Sequence, residues 1–246
     1  MSEHFALGKC ESFVNLQLQP RTGKISQEPE PPCRAVTFSR QAGCGALAVA
    51  ERLATYLQNF TSPEHPPWMV FDRNLVEKVI EEHHLPGHVG KFMSEHCQSE
   101  FAETLDELFG LHPPSWLLVR QTAETILRLV KRGNVIVIGR GSHIVTAEMK
   151  SVFHVRLVAS IETRAKRLGE TDKLDRKAAL NFIKRQDRGR QKYLWHYYKK
   201  DINDPLLYHV VINTDLISYD VAARMIGDAV LGKSGSESRK EARAAA

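Results

Sequence analysis

Residues 34–54 read RAVTFSRQAGCGALAVAERLA. The opening RAVTF (34–38) is a short apolar, β-branched run of the kind that forms a buried strand. From Ala46 to Phe60 the period changes to that of a helix, with Leu47, Ala50, Leu53, Ala54 and Leu57 on one stripe. Gly43 and Gly45 punctuate the turn between them. A strand, a glycine loop and a helix in that order bring backbone amides and a helix N-terminus onto one point, an arrangement suited to holding a phosphate. The full phosphate-loop signature is G-x-x-x-x-G-K-[ST]. With Gly45 at its second glycine, Ala46 stands at the lysine and Leu47 at the hydroxyl residue. Any phosphate held here therefore needs its cation from elsewhere.

Four further apolar runs follow: PWMVF (67–71), NVIVI (134–138), VFHVRLV (152–158) and HVVIN (209–213). They mostly lack polar alternation, as strands buried on both faces of a parallel sheet do. A second helical period from Trp116 to Val130 aligns Leu117, Ala123, Ile126, Leu127 and Val130. Strands alternating with helices predict a layered α/β domain with right-handed crossovers and a ligand at the carboxyl ends of the strands. Two connections exceed what a crossover needs, Asp72 to Pro114 and Arg164 to Asp204, and lengths of that kind mark functional insertions.

The chain has 246 residues, 42% of them apolar, which suffices for a sizeable core. Charged residues make up 26%, mean hydropathy is −0.33, and no apolar run approaches the roughly 20 residues that span a bilayer. The opening MSEHFALGKCESF lacks the apolar core of a signal peptide. Cys10, Cys33, Cys44 and Cys97 form no CxxC pair, as expected of reduced thiols without disulfides. These features predict a cytoplasmic protein with no membrane partner. Residues 1–33 end in SQEPEPPC and read as a loose extension. The folded body is expected over 34–231, and the polar tail 232–246 is expected to fray.

Charge is concentrated. Net charge is +5, yet Arg164 to Lys200 holds thirteen basic and four acidic residues, so the remainder is net acidic. A local cationic block points to phosphate groups of a nucleotide or of a nucleic acid, with a solvated helix face as the plain alternative. KYLWHYYKK (192–200) interleaves aromatics with lysines, as single-strand nucleic-acid platforms do. Tyr193, Leu194 and Tyr197 also fit a packing stripe, so a nucleic-acid partner is not the expectation. His83, His84, His88, His96 and Cys97 cluster without a zinc-ligand spacing and read as helix-surface residues.

Taken in order, SRQAGCG (39–45), FDRNLVEKVI (71–80), VIVIGRGSHIV (135–145), VRLVASIETRAKRL (155–168), RQDRGRQKY (185–193) and YHVVINTDLISYDVA (208–222) resemble the cytidylate kinase-like family of phosphate-loop nucleoside monophosphate kinases. The resemblance runs from about Arg34 to about Leu231, and its specificity lies in the ordered set. The family's first loop also lacks the lysine. The resemblance implies a three-layer sandwich around a five-stranded parallel sheet, a helical acceptor-binding insertion (72–115) and a basic lid region (164–204). It implies transfer of the γ-phosphoryl of ATP to a (d)CMP-like monophosphate, with Mg²⁺.

By the same resemblance, Ser39, Arg40, Gln41, Gly43, Cys44, Gly45 and Ala46 would hold the donor together with Arg164. Asp72 and Arg73 match the acceptor-facing pair after the second strand, and Arg140 of GRGSH matches the arginine on the acceptor phosphate. Gly141 stands where cytidylate kinases carry the base-facing Asp. Arg164 and Arg167 lie on one helix face at the start of the lid, and Arg185, Asp187, Arg188 and Arg190 follow in it. Arg40, as the cation nearest the loop, and Arg185 and Arg188, ahead of Arg190, are the expected catalytic charges. Asp187 would either orient an arginine or meet the acceptor base. Asp72 also offers the carboxylate that Mg²⁺ would need in place of the loop hydroxyl. Two other readings remain: a non-catalytic nucleotide-binding or regulatory protein on this fold, and a nucleic-acid-binding module that uses the basic block.

Overall fold

The computed structural model describes residues 35–72 and 115–244, with side chains described over 35–72 and 118–232. Arg73, the histidine group at 83–97, residues 1–34 and most of the 72–115 insertion lie outside the described residues. The elements in chain order are β1 (Ala35–Arg40), α1 (Ala46–Gln58), β2 (Met69–Phe71), α2 (Ser115–Arg132), β3 (Val135–Ile138), α3 (Ser142–Val145), β4 (Val152–Val158), α4 (Ile161–Thr171), α5 (Arg176–Tyr198), β5 (Val210–Asn213) and α6 (Tyr219–Ala244).

The five strands form one parallel sheet in the order β2-β3-β1-β4-β5. β1 is central, with Ala35 opposite Val135 of β3 and opposite Val152 of β4. Because side chains alternate along a strand, Val36 and Phe38 of β1 face one side and Ala35 and Thr37 the other. On the first side Val36, Phe38, Ile136, Ile138, Val155 and Leu157 pack with residues of α1 and α6. On the second, Ala35, Val135, Val137, Val152 and Phe71 pack with Ile126, Leu129 and Val130 of α2. Both faces are covered, which is why these strands read as continuous apolar runs.

Two helix stripes differ from expectation. On α1 the buried positions are Ala46, Val49, Ala50, Leu53 and Leu57, whereas Leu47 is 47% exposed. The buried set follows i, i+3, i+4, i+7 and i+11, and Leu47 lies on its margin. On α2 the core side chains are Leu118, Val119, Thr122, Thr125, Ile126, Leu129 and Val130, and Ala123 and Leu127 are only half-buried. Threonine type hid this stripe. The Thr122 hydroxyl donates to the Leu118 carbonyl at 2.7 Å, so it enters the core with its polar group satisfied.

α6 also continues through Ala244, beyond the Gly232 boundary where fraying was expected. Past Gly232 and Gly235 the sequence is rich in Glu, Lys, Arg and Ala, all good helix formers. Among the described residues, no helix is long and apolar enough to cross a membrane.

The observed α1 stripe has a direct test in urea unfolding. Val49→Ala should lower stability by about 2 kcal/mol through lost burial and the cavity it leaves. Leu47→Ala should change stability by less than about 0.5 kcal/mol. Equal losses would restore the stripe expected from the sequence.

Candidate active site

The turn after β1 is locked at its base and open at its top. Gln41 donates its N–H to the Leu157 carbonyl at 3.1 Å, and its side-chain oxygen accepts from the Ala159 N–H at 3.0 Å. Cys44 N–H reaches back to the Gln41 carbonyl at 3.4 Å. Gly43 and Gly45 have φ of 77° and 81°, the left-handed region that side chains disfavour. Neither has room for a Cβ. At Gly43 it would lie 2.9 Å from the Arg164 carbonyl oxygen, and at Gly45 it would run into the Tyr219 ring. Gly45 caps α1 without a side chain. Among the described residues, the amides of Gly43 and Gly45 have no hydrogen-bond partner. They sit at the positive end of a 13-residue helix, as an anion cradle requires.

The next amide is different. Ala42 N–H donates to Asp187 Oδ1 at 2.8 Å, and Asp187 Oδ2 pairs with Arg164 at 2.5 Å. Arg190 joins the same carboxylate at 3.2 Å. Arg164 also donates to the Ala42 carbonyl at 3.3 Å, and its side chain is only 7% exposed. The Arg164 Nε is buried with no partner among the described residues. Asp187 therefore orients arginines and fastens α5 to the loop. Of the two roles left open for it, the structure displays that one. Arg164 and Arg190 are drawn to the loop. Arg185 and Arg188, expected as the catalytic charges, stand exposed on α5 and make no ion pair among the described residues.

Arg40 ends β1, and its guanidinium lies 3.8 Å from the Asp72 carboxylate just past β2. β3 lies between those strands, so the pair spans its carboxyl end. There the chain turns through Gly139, Arg140 and Gly141 with φ of 84°, 56° and 66°. Arg140 is thus one of the few non-glycine residues held in the left-handed region, a costly backbone state that collects at functional sites. Gly141 leaves its Cβ space to the Tyr198 ring, which would lie 2.8 Å away. Ser142 Oγ beside it is buried with no partner among the described residues.

Three arrangements were not anticipated. Arg167 clamps Thr214, donating to its hydroxyl at 2.9 Å and its carbonyl at 2.6 Å, and lies 5.2 Å from the Tyr219 ring centroid. The Thr214 hydroxyl in turn lies 3.1 Å from the Cys44 carbonyl, so the segment after β5 buttresses the loop. Arg156, 5% exposed inside the apolar run of β4, donates to Ser39 Oγ at 2.8 Å and to Asn203 Oδ1 at 3.0 Å. Its guanidinium also lies 5.7 Å from the Tyr208 ring. Ser39, expected at the donor, thus turns its hydroxyl to Arg156 and Tyr208. The clue to Arg156 was a charge within a strand buried on both faces.

Cys44 is fully buried, and burial pushes its thiol above the ordinary range, so it is neutral and can offer an anion only its backbone. Among the described residues, no group of three His, Cys, Asp or Glu side chains converges. Asp72, 28% exposed, fits the one carboxylate that a Mg²⁺ bound mostly by phosphates and water takes from protein.

Comparison with known proteins bears on this edge. The sequence profile of the cytidylate kinase-like family matches residues 35–216, from the start of β1 past the Thr214 buttress. The chain belongs to the cytidylate kinase-like family. A cytidylate kinase of Pyrococcus horikoshii is 28% identical over 178 residues, covering 68% of this chain and 88% of its own. A crystal structure of a protein from Eubacterium ventriosum superimposes with a TM-score of 0.60 at 18% identity, covering 80% of this chain and 97% of that one. A shikimate kinase of Bacteroides thetaiotaomicron has a TM-score of 0.45 at 12% identity, covering 80% and 98%. This member of the cytidylate kinase-like family has the phosphate-loop α/β fold, with Ala46 and Leu47 in place of the loop lysine and hydroxyl.

The fit at Gly45 is testable by a double-mutant cycle. Gly45→Ala should cost more than about 2 kcal/mol, combining left-handed strain with the Tyr219 clash. In a Tyr219→Ala background only the strain of about 1–2 kcal/mol should remain. An undiminished cost would mean that the ring does not set the loop's shape.

Proposed function

We propose that the protein is an ATP-dependent nucleoside monophosphate kinase acting on a (d)CMP-like acceptor. The observation that carries this reading is the pair of unpartnered amides at Gly43 and Gly45, set at a helix N-terminus with buried Arg164 behind them. An oxygen of the acceptor phosphate attacks the γ-phosphorus in line, the bond to the β,γ-bridging oxygen breaks, and ADP leaves. No covalent enzyme intermediate is required. The loop amides hold the donor phosphates, and Arg40 and Arg164 supply the positive charge that the absent lysine does not. Arg140, with Asp72 and Arg73, holds the acceptor. Exposed Arg185 and Arg188 come to the transferring group as the lid closes, replacing water with fixed charge. Asp72 is the residue that would hold Mg²⁺, which would supply charge neutralisation to the donor phosphates.

The family match and the cytidylate kinase relative support a kinase, and the geometry supports an anion at the loop. Gly141 favours a second reading of the acceptor. A glycine filled against Tyr198 offers no carboxylate to a cytosine amine, so acceptors beyond CMP belong in the test.

A coupled assay for ADP formation with ATP, Mg²⁺ and a panel of nucleoside monophosphates tests the reaction. Transfer to a pyrimidine monophosphate is the expected outcome. Thermal stabilisation by ATP with no transfer to any acceptor would instead support a non-catalytic nucleotide-binding protein. Arg140→Ala should lower kcat/KM for the acceptor on the order of 10–100-fold while leaving the ATP-induced rise in Tm unchanged. Loss of the ATP effect in that variant would move Arg140 to the donor side.

A further inference from the structure

α5 presents two unlike faces. Inward it buries Ala179, Ile183, Tyr193 and Leu194, and its only acid, Asp187, reaches the phosphate loop. Outward, Lys177, Lys184, Arg188, Lys192 and Trp195, with the C-capping Lys199, are all exposed. At 3.6 residues per turn these positions fall on one strip about a quarter-turn wide. The sequence KYLWHYYKK thus divides: Tyr193 and Leu194 pack, as expected, while Lys192 and Trp195 face solvent.

No cation of the strip has an ion-pair partner among the described residues. Lys184, Arg188 and Lys192 follow one another at i, i+4 spacing, so their like charges disfavour the isolated helix. Arg185 and Lys200 lie alongside and add to the field. From Lys177 to Lys199 is about 33 Å along the axis at 1.5 Å per residue. The phosphates of a single nucleotide engage only a turn or two of that length. The strip therefore matches a polymer of phosphates. A membrane surface would call for an apolar helix face, and an acidic protein segment has no use for a lone tryptophan ring 61% exposed among lysines. Stacking a base on such a ring, with cations tracking the backbone on either side, is how single strands are held.

We propose that the outer strip of α5 binds single-stranded nucleic acid, with Lys177, Lys184, Arg188, Lys192 and Lys199 along the phosphates and Trp195 beneath a base. Arg188 is shared with the lid of the proposed kinase reaction; Lys177, Lys184, Lys192, Trp195 and Lys199 have no part in that reaction, and their occupation does not depend on it.

Fluorescence anisotropy of the full chain with a labelled single-stranded oligonucleotide of about twenty nucleotides tests it. Affinity should fall with salt with a log–log slope of about −3, from four to five neutralised phosphates at roughly 0.7 each. Lys184→Ala and Lys192→Ala should each reduce that slope by about 0.7. Trp195→Ala should weaken binding about 5- to 150-fold at an unchanged slope, with Tm preserved in all three variants. Saturating ATP should leave the oligonucleotide bound. Absence of salt-dependent binding, indifference to these substitutions, or full displacement by ATP would overturn the proposal. Equal affinity for polyglutamate or heparin with no effect of Trp195→Ala would overturn it as well.

Discussion

A single carboxylate joins the basic helix α5 to the glycine loop that the proposal assigns to phosphate. Asp187 lies on α5, yet it accepts from the Ala42 amide in the loop after β1 and pairs with Arg164 and Arg190. Arg164 is nearly enclosed, and an enclosed cation without an anion is costly by several kcal/mol. The carboxylate relieves that cost and at the same time aims the guanidinium at the loop. A lysine within the loop would reach phosphate from its own helix. Here the cation arrives on α4 and is steadied from α5, so the loop's electrostatics depend on how those helices sit.

The rest of the fold supports that junction. Of the nine described residues with positive φ, five are Gly43, Gly45, Gly139, Arg140 and Gly141, all in the turns that leave β1 and β3. Neighbouring strands in a parallel sheet deliver such turns to one edge, where helix N-termini and side chains meet. Arg40 and Asp72 close the edge across β3, and Thr214 and Tyr219 brace it from beyond β5. Arg156 underpins it from below, tying Ser39 of β1 to Asn203 in the segment that returns from α5. Its charge meets two neutral oxygens and an aromatic ring, which leaves a net cation close under that sheet edge.

Much of this was legible in the sequence. All five strands fall within the apolar runs read for them, extended by two residues at β1; burial on both faces leaves an unbroken hydrophobic signature in β1, β3 and β4, and the partly exposed edge strands β2 and β5 are apolar enough to share it. The glycine loop and the GRG turn were legible because only glycine suits left-handed turns that crowd a neighbour. Other features come from contacts between residues far apart in the chain. The Asp187 bond to Ala42 spans 145 positions, and the Thr214 bond to Cys44 spans 170. No local period encodes either. Arg156 was hidden in VFHVRLV because a run is judged by its average, and Thr122 was passed over in α2 because a hydroxyl bonded within its own helix packs like a methyl group. Which lid arginine meets Asp187 was not legible for a related reason. Arg185, Arg188 and Arg190 are equivalent by type, and only the turn of the helix decides which one meets Asp187.

The claim on which the account rests is that backbone amides and imported arginines hold the donor phosphates without a loop lysine. A crystal structure with a non-hydrolysable ATP analogue and Mg²⁺ tests it most directly. The account predicts the phosphate chain against the amides of Gly43 and Gly45, with the Arg40 and Arg164 guanidinium groups in contact. Phosphates bound away from that turn, or a turn left empty at saturating analogue, would contradict it.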